Sequence, residues 1–461
     1  MRSLLLSTTL GLALALSSVT AADADSLADA LVKAYQTSPL LQSNRAALRS
    51  LDETVPQARA NRRPQVDASI GGSYGTEVED LEASVNSAQA ALDASLLIFD
   101  NGQTKAAIES ARNLIAAGRA DLKNVEQLVL FNAVQAYVDV RRDQEFVRLA
   151  TNDVERLNET LDATRNRFDV GEVTRTDVSQ SESRLAASRS TLAGAQGQLE
   201  VSREAYKAAV GSFPSNLEPL PPLPSMPKTL DEAVAIGIQR NPQIISAQFS
   251  ERAAVYDFDR ALAAKGPSLS ATASAGFERD NQTGSWDGST FGEVGLQGSM
   301  PLYTGGRNDS LVRQAQAVLD QRRFELQDEG RAVTQAVGEA YSQLAVASAT
   351  IVARREQAEA ARIAAEGVAE EARLGARSTL DVLDADQERL TAEAEIVRSL
   401  RDEYVAAYDL LQAMGLLTVE HLKLGIETYD PDVNFKRVQA GKPGGYDTSA
   451  VDRIRARWEQ R

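Results

Sequence analysis

Two carboxylates at helical spacing are the residues of this sequence with the clearest potential for chemistry. Asp381 and Asp384 lie three residues apart in a segment that predicts a helix, so they share one face of it. If several copies of the chain placed this face around one axis, the carboxylates would form stacked rings that favour cations. A local role is the alternative, because Ser378 and Asp381 have the spacing of a helix-capping box. An acidic pair on a solvated helix face is also common.

Residues suited to catalysis or cofactor binding are scarce. The chain contains one histidine, His421, and no cysteine. It has no glycine-rich loop followed by Lys and Ser or Thr, the arrangement that holds nucleotide phosphates. The sequence therefore predicts a protein that is not an enzyme and holds no metal or other cofactor.

Two pairs of long helices must position the carboxylates. Apolar residues recur every seven positions in four ladders, and sustained heptads of this kind indicate coiled-coil pairing. Gly171 and Gly375 lie between the members of each pair, where glycine permits the positive φ of a tight reversal. Each pair is therefore predicted to be an antiparallel hairpin. The ladders comprise Val140, Val147, Val154, Leu161 and Phe168; Val178, Leu185, Leu192, Leu199 and Tyr206; Val337, Leu344, Ile351, Ala358 and Ala365; and Leu383, Leu390, Val397, Tyr404 and Leu411.

The chain is duplicated internally. Motifs of the first half recur in the second at an offset of about 203 to 204 residues, as Ser38-Pro39 and Asn241-Pro242 illustrate. Each of these prolines is predicted to begin a helix, which runs to about Arg62 in the first half and Lys265 in the second. Proline between the halves stops helices and stiffens an extended linker.

The predicted organisation follows from this duplication. Arg2 and the apolar run after it are features of a signal peptide. The segments are a signal peptide at 1–22; a first repeat at 23–213, with short helices, a β-hairpin at about 65–99 and a helical hairpin at about 101–211; a Pro-rich linker at 214–228; a second repeat at 229–417, with short helices, a β-hairpin at about 268–303 and a helical hairpin at about 304–415; and a C-terminal periplasmic extension at 418–461.

Each repeat carries two segments in which apolar and polar residues alternate. One apolar and one polar face over about ten residues are typical of a transmembrane barrel strand. A half-buried hairpin of a soluble protein is the alternative for any single segment. The apolar positions are Val66, Ala68, Ile70, Gly72 and Tyr74; Ala90, Leu92, Ala94, Leu96 and Ile98; Leu269, Ala271, Ala273, Ala275 and Phe277; and Val294, Leu296, Met300 and Leu302.

Charge and hydropathy restrict the possible environments. The formal net charge of −16 argues against a nucleic-acid partner and suits a water-filled lumen or a periplasmic surface. No segment after the signal peptide offers about 18 uninterrupted apolar residues, so a membrane role would depend on the strands. Four strands cannot close a barrel, because bacterial barrels have at least about eight. Two or three copies of the chain would both give an allowed number.

The motifs together resemble the TolC family of outer-membrane efflux and secretion channels. The resemblance covers the chain up to about Gly415 and depends on the two proline-started helices, on the strand exits at 99–102 and 303–306, and on tip segments around Gly171 and Gly375. It implies a mainly α fold with a transmembrane β-barrel portion. Three chains would form a 12-stranded barrel, four strands from each, that continues into a long antiparallel coiled-coil α-helical tunnel.

The resemblance also implies roles for individual residues. Asp381 and Asp384 match the aspartates that line the closed periplasmic entrance in that family. Thr176, Asp177 and Arg377 match positions that join neighbouring hairpins and hold the entrance shut. A charge-assisted link between Arg377 and Asp177 is the predicted contact.

The hairpin tips are implied to receive a partner protein. In the family they bind a periplasmic adaptor, which assigns that role here to Arg167, Gly171, Arg373 and Gly375. One position departs from the family pattern, since Ala372 stands where the relative compared has an aromatic hydroxyl. One of the contacts that hold the entrance closed in that family is therefore missing or replaced here.

The function implied is a passive outer-membrane exit duct with its helical tunnel in the periplasm. Its expected partners are two sister chains, a periplasmic adaptor, an inner-membrane ABC or proton-driven transporter, and outer-membrane lipid. The competing hypothesis is a periplasmic coiled-coil scaffold without a pore, which the heptads alone would suit equally well.

Overall fold

The fold consists of two copies of one element order. The computed structural model describes residues 25–76, 84–280 and 287–439. The predicted signal peptide and residues 440–461 of the predicted extension lie outside them. The first repeat contains α1 (Leu27–Thr37), α2 (Pro39–Asp52), α3 (Thr54–Ala60), β1 (Gln65–Thr76), β2 (Ser84–Phe99), α4 (Gln103–Asp169) and α5 (Arg175–Val210). The second contains α6 (Leu230–Arg240), α7 (Pro242–Ala263), β3 (Ser268–Asp280), β4 (Asp287–Ser299), α8 (Arg307–Arg373) and α9 (Thr379–Ala413), and α10 (Pro431–Gln439) follows.

The helix predicted to run from Pro39 to Arg62 is two helices. Pro56 has no N–H to donate to the carbonyl of Asp52, and its ring crowds that carbonyl. Accordingly, α2 ends at Asp52, and the hydroxyl of Thr54 donates to the carbonyl of Leu51 over 2.7 Å. The counterpart in the second repeat has no internal proline, and α7 runs unbroken to Ala263.

The four strands form one antiparallel sheet in the order β1-β2-β3-β4. In this register Ala68 pairs with Leu92, and Leu92 pairs with Ala275, so the apolar positions of neighbouring strands share a face. That face is bare in the single chain, with Ile70 90% and Val294 85% exposed. Nothing among the described residues therefore covers the apolar face.

The opposite face of the sheet is polar and acidic. Asp67 pairs directly with Asp93, Asp93 pairs with Ser274, and Ser274 pairs with Glu293. Like charges opposite one another on neighbouring strands repel. Water on this face would reduce that repulsion, so the two faces require different surroundings.

The long helices pair as α4 with α5 and α8 with α9. Heptad positions of all four helices are buried, as Val140, Leu185, Val337 and Leu383 illustrate. Phe168, at the end of its ladder, is half exposed because the seam ends at the tip. No helix among the described residues combines the length and the apolar character needed to cross a membrane.

The largest apolar cluster lies about midway along the helices, where α1, α4, α5, α6, α8 and α9 meet. Tyr137 is fully buried there, and its hydroxyl lies 3.0 Å from the carbonyl oxygen of Asp25 and 2.9 Å from that of Glu218. These bonds fasten the beginning of the first repeat and the extended linker to α4. We refer to this region as the waist.

After α9 the chain returns to the waist of the first repeat. We call residues 418–439 the C-terminal strap. Its Tyr429 ring and the ring of Tyr35 flank the guanidinium of Arg45, at 5.2 Å and 4.7 Å. The backbone N–H of Tyr429 also donates to the hydroxyl of Tyr35 over 3.1 Å.

Helix α10 adds polar contacts to the strap. The side-chain amide of Asn434 donates to the buried carboxylate of Asp52 over 2.6 Å. Arg119 of α4 pairs with Asp432 at 2.7 Å and lies over the ring of Phe435. The strap thus follows the second repeat in sequence but packs on the first.

Candidate functional site

Glycine permits the tight reversal at both hairpin tips. Gly171 and Gly375 each have φ of +79°, a left-handed conformation that strains residues with a Cβ. The N–H of Glu172 then donates to the carbonyl of Arg167, and that of Ala376 to Glu371, both over 2.9 Å. The two tips therefore share one geometry, as the duplication predicts.

Matching capping boxes begin the helices that leave the tips. At α5 the backbone N–H of Thr174 donates to the carboxylate of Asp177 over 2.8 Å, and the N–H of Asp177 donates back to the Thr174 hydroxyl over 3.3 Å. At α9 Ser378 and Asp381 make the same pair of bonds, at 2.9 and 3.2 Å. Hydrogen bonds from the cap residue hold the pKa of both carboxyls below the usual value.

The capping alternative is therefore realised for Asp381. Its carboxylate is nevertheless exposed and ionised at neutral pH, so the cap leaves its charge at the tip. Thr176, one residue before Asp177, is exposed as well. The carboxylate of Asp381 can therefore cap α9 and still face the axis of the predicted ring with its charge.

The tip arginines pair within their own hairpins. Arg377 donates to Glu371 over 2.8 Å, Arg373 to Glu370 over 3.2 Å, and Arg167 to Glu172 over 3.1 Å. The predicted link from Arg377 to Asp177 is not formed within the chain. It stays a prediction for contacts between chains.

Asp384 has a partner that the sequence did not reveal. Arg184 of α5 donates to its carboxylate over 2.5 Å, across 200 residues of sequence. Several arginines follow one another along α5, and their spacing does not show which one faces α9. Only the packing of the two hairpins selects Arg184.

Further charges join the hairpins near the waist. Arg401 of α9 donates to Asp139 of α4 over 2.9 Å, and Arg142 donates to the same carboxylate over 3.0 Å. Arg142 also holds the buried carboxylate of Asp143, to which the hydroxyl of Ser202 donates. These bonds tie α4, α5 and α9 together well above the tips.

The described residues contain no group of histidine, cysteine, aspartate or glutamate side chains arranged to hold a metal ion. The geometry at the tips combines exposed carboxylates with paired arginines on rigid helix ends. Such an arrangement can attract, repel or hold charged groups.

The sheet has one apolar and one polar face, and the duplicated chain joins it to paired helical hairpins. This combination defines a channel-forming protomer. The chain belongs to the outer membrane efflux protein family, whose profile matches residues 30–212 and 236–416. The two matched regions correspond to the two repeats and leave the predicted linker between them.

Individual relatives span nearly the whole chain. Outer membrane efflux protein BepC of Brucella suis biovar 1 is 34% identical over 422 residues, which cover 91% of this chain and 91% of BepC. Outer membrane protein TolC of Escherichia coli is 24% identical over 418 residues, covering 86% and 84%. Among solved structures, the Campylobacter jejuni CmeC outer membrane channel superimposes with a TM-score of 0.73 at 18% identity, over 89% of each chain.

These matches confirm the predicted family, the fold class, the outer-membrane location and the function as an exit duct. The family is one of transport channels. None of the matches supports the periplasmic scaffold. The roles of single residues at the tips stay predictions.

Proposed function

We propose that three copies of this chain form a gated duct that passes small molecules or proteins out of the cell. Four strands from each copy would give a barrel of about 12 strands. The helical hairpins would continue it as a tunnel through the periplasm. The internal duplication makes such a threefold ring nearly sixfold, because both repeats present the same elements.

The observation that carries this proposal is the sheet with one bare apolar face and one acidic face. Lipid outside a barrel would cover the exposed face that contains Ile70 and Val294. Water inside it would solvate the row of Asp67, Asp93 and Glu293. Strands β1 and β4 each pair on one side only within the described chain, which leaves both edges for sister chains.

The tips are the proposed gate. Asp381 and Asp384 would line the constriction, and Thr176, Asp177 and Arg377 would hold neighbouring hairpins together. The exposure of the Asp381 carboxylate and the rigid capped start of α9 support the first role. Three copies of each carboxylate around one axis would favour cations.

The tips are also the proposed docking point for a periplasmic adaptor. Arg167, Gly171, Arg373 and Gly375 lie at the two reversals, and Arg373 is 80% exposed in its side chain. An ABC or proton-driven transporter in the inner membrane would supply the energy. The net charge of −16 gives no support to a nucleic-acid partner.

Planar-bilayer recordings of the purified full chain test the proposal. We expect the wild type to form channels that prefer K⁺ over Cl⁻. Asp381→Asn combined with Asp384→Asn should lower that preference and weaken block by multivalent cations, because the ring charge is removed.

The matched control is Glu200→Gln, which removes an exposed carboxylate of α5 far from the tips. It should leave selectivity nearly unchanged. A wild type without channel activity would disprove the duct. Channels whose selectivity is the same in the double variant would disprove only the assignment of the ring.

A further inference from the structure

Leu383 joins the two helical hairpins just above the tips. It is 2% exposed and packs in a cluster with Leu157 and Leu161 of α4 and Leu185 of α5. Leu383 belongs to α9, so the second hairpin inserts a side chain into the apolar seam of the first. Withdrawing it would expose the apolar surface of all four leucines to water.

The residues next to Leu383 make ionic contacts with the same hairpin. Asp384 accepts from Arg184 of α5 at 2.5 Å, and Asp386 pairs with Arg156 of α4 at 3.3 Å. Arg156 also pairs with the buried Asp153 at 3.3 Å.

These contacts differ in exposure. Asp386 and Arg156 are largely covered, with 18% and 31% of their side chains exposed. Asp384 and Arg184 are more exposed, at 58% and 40%. Burial raises the pKa of Asp386, while Arg156 acts in the opposite direction. The covered contacts fix the position of α9, and the exposed pair yields most readily to a small displacement of the hairpins.

The three residues lie within one turn of α9, directly after Asp381. We propose that Leu383, Asp384 and Asp386 form a tip junction through which the first hairpin sets the charge of the entrance. In this junction Arg184 supplies the countercharge of Asp384. The inference depends on the proposed function of Asp381 and Asp384. While the hairpins are docked, Arg184 compensates the charge of Asp384, and the entrance presents mainly Asp381.

Displacement of α9 from α5 separates Arg184 from Asp384. The second carboxylate of each chain then becomes available to passing ions. The ion pair between Arg184 and Asp384 thus couples opening of the entrance to its affinity for cations.

The test is a bilayer recording of Arg184→Gln in the full chain. Loss of the guanidinium leaves Asp384 unpaired without changing its position on α9. We expect the K⁺ over Cl⁻ permeability ratio to rise, and the concentration of hexamminecobalt for half-block to fall, by about two- to fivefold, the factor that a half-exposed ion pair allows. In Arg184→Gln combined with Asp384→Asn, this increase should disappear.

The matched control is Arg203→Gln, because Arg203 lies on the same helix and pairs with Glu200 one turn away. It removes an equal charge from α5 far from the tips and should behave as the wild type. Arg184→Lys should retain most of the wild-type selectivity.

An Arg184→Gln channel with the selectivity and block of the control would overturn the tip junction, even if the aspartate variants change selectivity. An increase that persists after Asp384→Asn would also overturn it, since Arg184 would then act on the pore by itself. A wild type that forms no channel would instead overturn the proposed function, and this inference with it.

Discussion

The carboxylate of Asp381 has two roles at the residue scale. It caps α9 through Ser378, and by the proposed function it faces the entrance with its charge. The hydrogen bonds of the cap hold its pKa below the usual 3.8. Because the folded-state pKa is lowered, the contribution of the cap is fully present above pH 3.8 and is lost as the pH falls through the lowered pKa.

Ser378→Ala should therefore loosen the first turn of α9. The substitution removes the hydroxyl that accepts from the N–H of Asp381, and replacement of a Ser cap by Ala weakens helix starts. We expect the amide hydrogens of residues 381–383 to exchange several-fold faster at neutral pH, after correction for intrinsic rates, as measured by mass spectrometry.

Thr174→Ala is the matched control, since it should affect α5 and leave α9 as in the wild type. Protection of the wild-type turn should be constant from pH 7 to about 4 and should decline only below the unfolded-state value. Equal exchange in wild type and Ser378→Ala would show that the cap contributes nothing to this turn.

Residue-scale predictions from sequence succeeded where the chemistry was local. The capping spacing of Ser378 and Asp381 and the reversal at Gly375 depend on residues within one turn, and the structure has both. Arg184 was missed, because its pairing depends on how two hairpins rotate against each other. Such a contact leaves no short-range pattern.

At the element scale, the strap follows the second repeat in sequence and stabilises the first. The rings of Tyr35 and Tyr429 enclose Arg45, and Tyr429 and Phe435 pack against the cluster of Leu48 and Val55. Cation–π contacts are worth about 0.5–2 kcal/mol each, depending on solvent exposure. A few specific contacts thus hold the strap on the first repeat.

Tyr429→Ala should release the strap. The loss of one ring beside Arg45 should cost about 1–2 kcal/mol and make cleavage within residues 420–439 roughly tenfold faster in limited proteolysis. Val433→Ala is the control, because Val433 lies in the same segment with a side chain that is 67% exposed.

Both variants should still assemble and insert, since neither changes the sheet. Cleavage of Tyr429→Ala at the rate of Val433→Ala would mean that the ring does not hold the strap.

Elements themselves were largely readable from the sequence. Heptads predicted the pairing of α4 with α5 and of α8 with α9, and alternation predicted the four strands. The break between α2 and α3 was missed, although Pro56 marks it, because the duplicated helix α7 has no such proline and suggested continuity. No residue pattern predicted the individual contacts of the strap, since they join residues as far as 394 positions apart, such as Tyr35 and Tyr429.

At the scale of the whole molecule, the sheet of a single chain is only part of a closed barrel. Its sheet has two open edges and an apolar face that nothing in the described chain covers. Sequence arithmetic allows two or three copies, because both give an even number of strands within the known range. The number of copies depends on curvature and on contacts between chains, which no pattern within one chain encodes.

The central claim is that the apolar face of the sheet contacts lipid and the polar face contacts water in the lumen. The chain has no native cysteine, so a single introduced thiol can report on each position. The most direct measurement is the labelling of single-cysteine variants in intact outer membranes by a small, charged, membrane-impermeant maleimide. Cysteine replaces, in turn, Val66, Asp67, Ala68, Ser69 and Ile70.

We predict an alternating result along β1, with labelling at positions 67 and 69 and protection at positions 66, 68 and 70. Denaturation in detergent should make all five thiols reactive, which confirms that each is present. Uniform labelling of all five positions in the intact membrane, or labelling of the apolar positions alone, would contradict a lipid-embedded barrel wall.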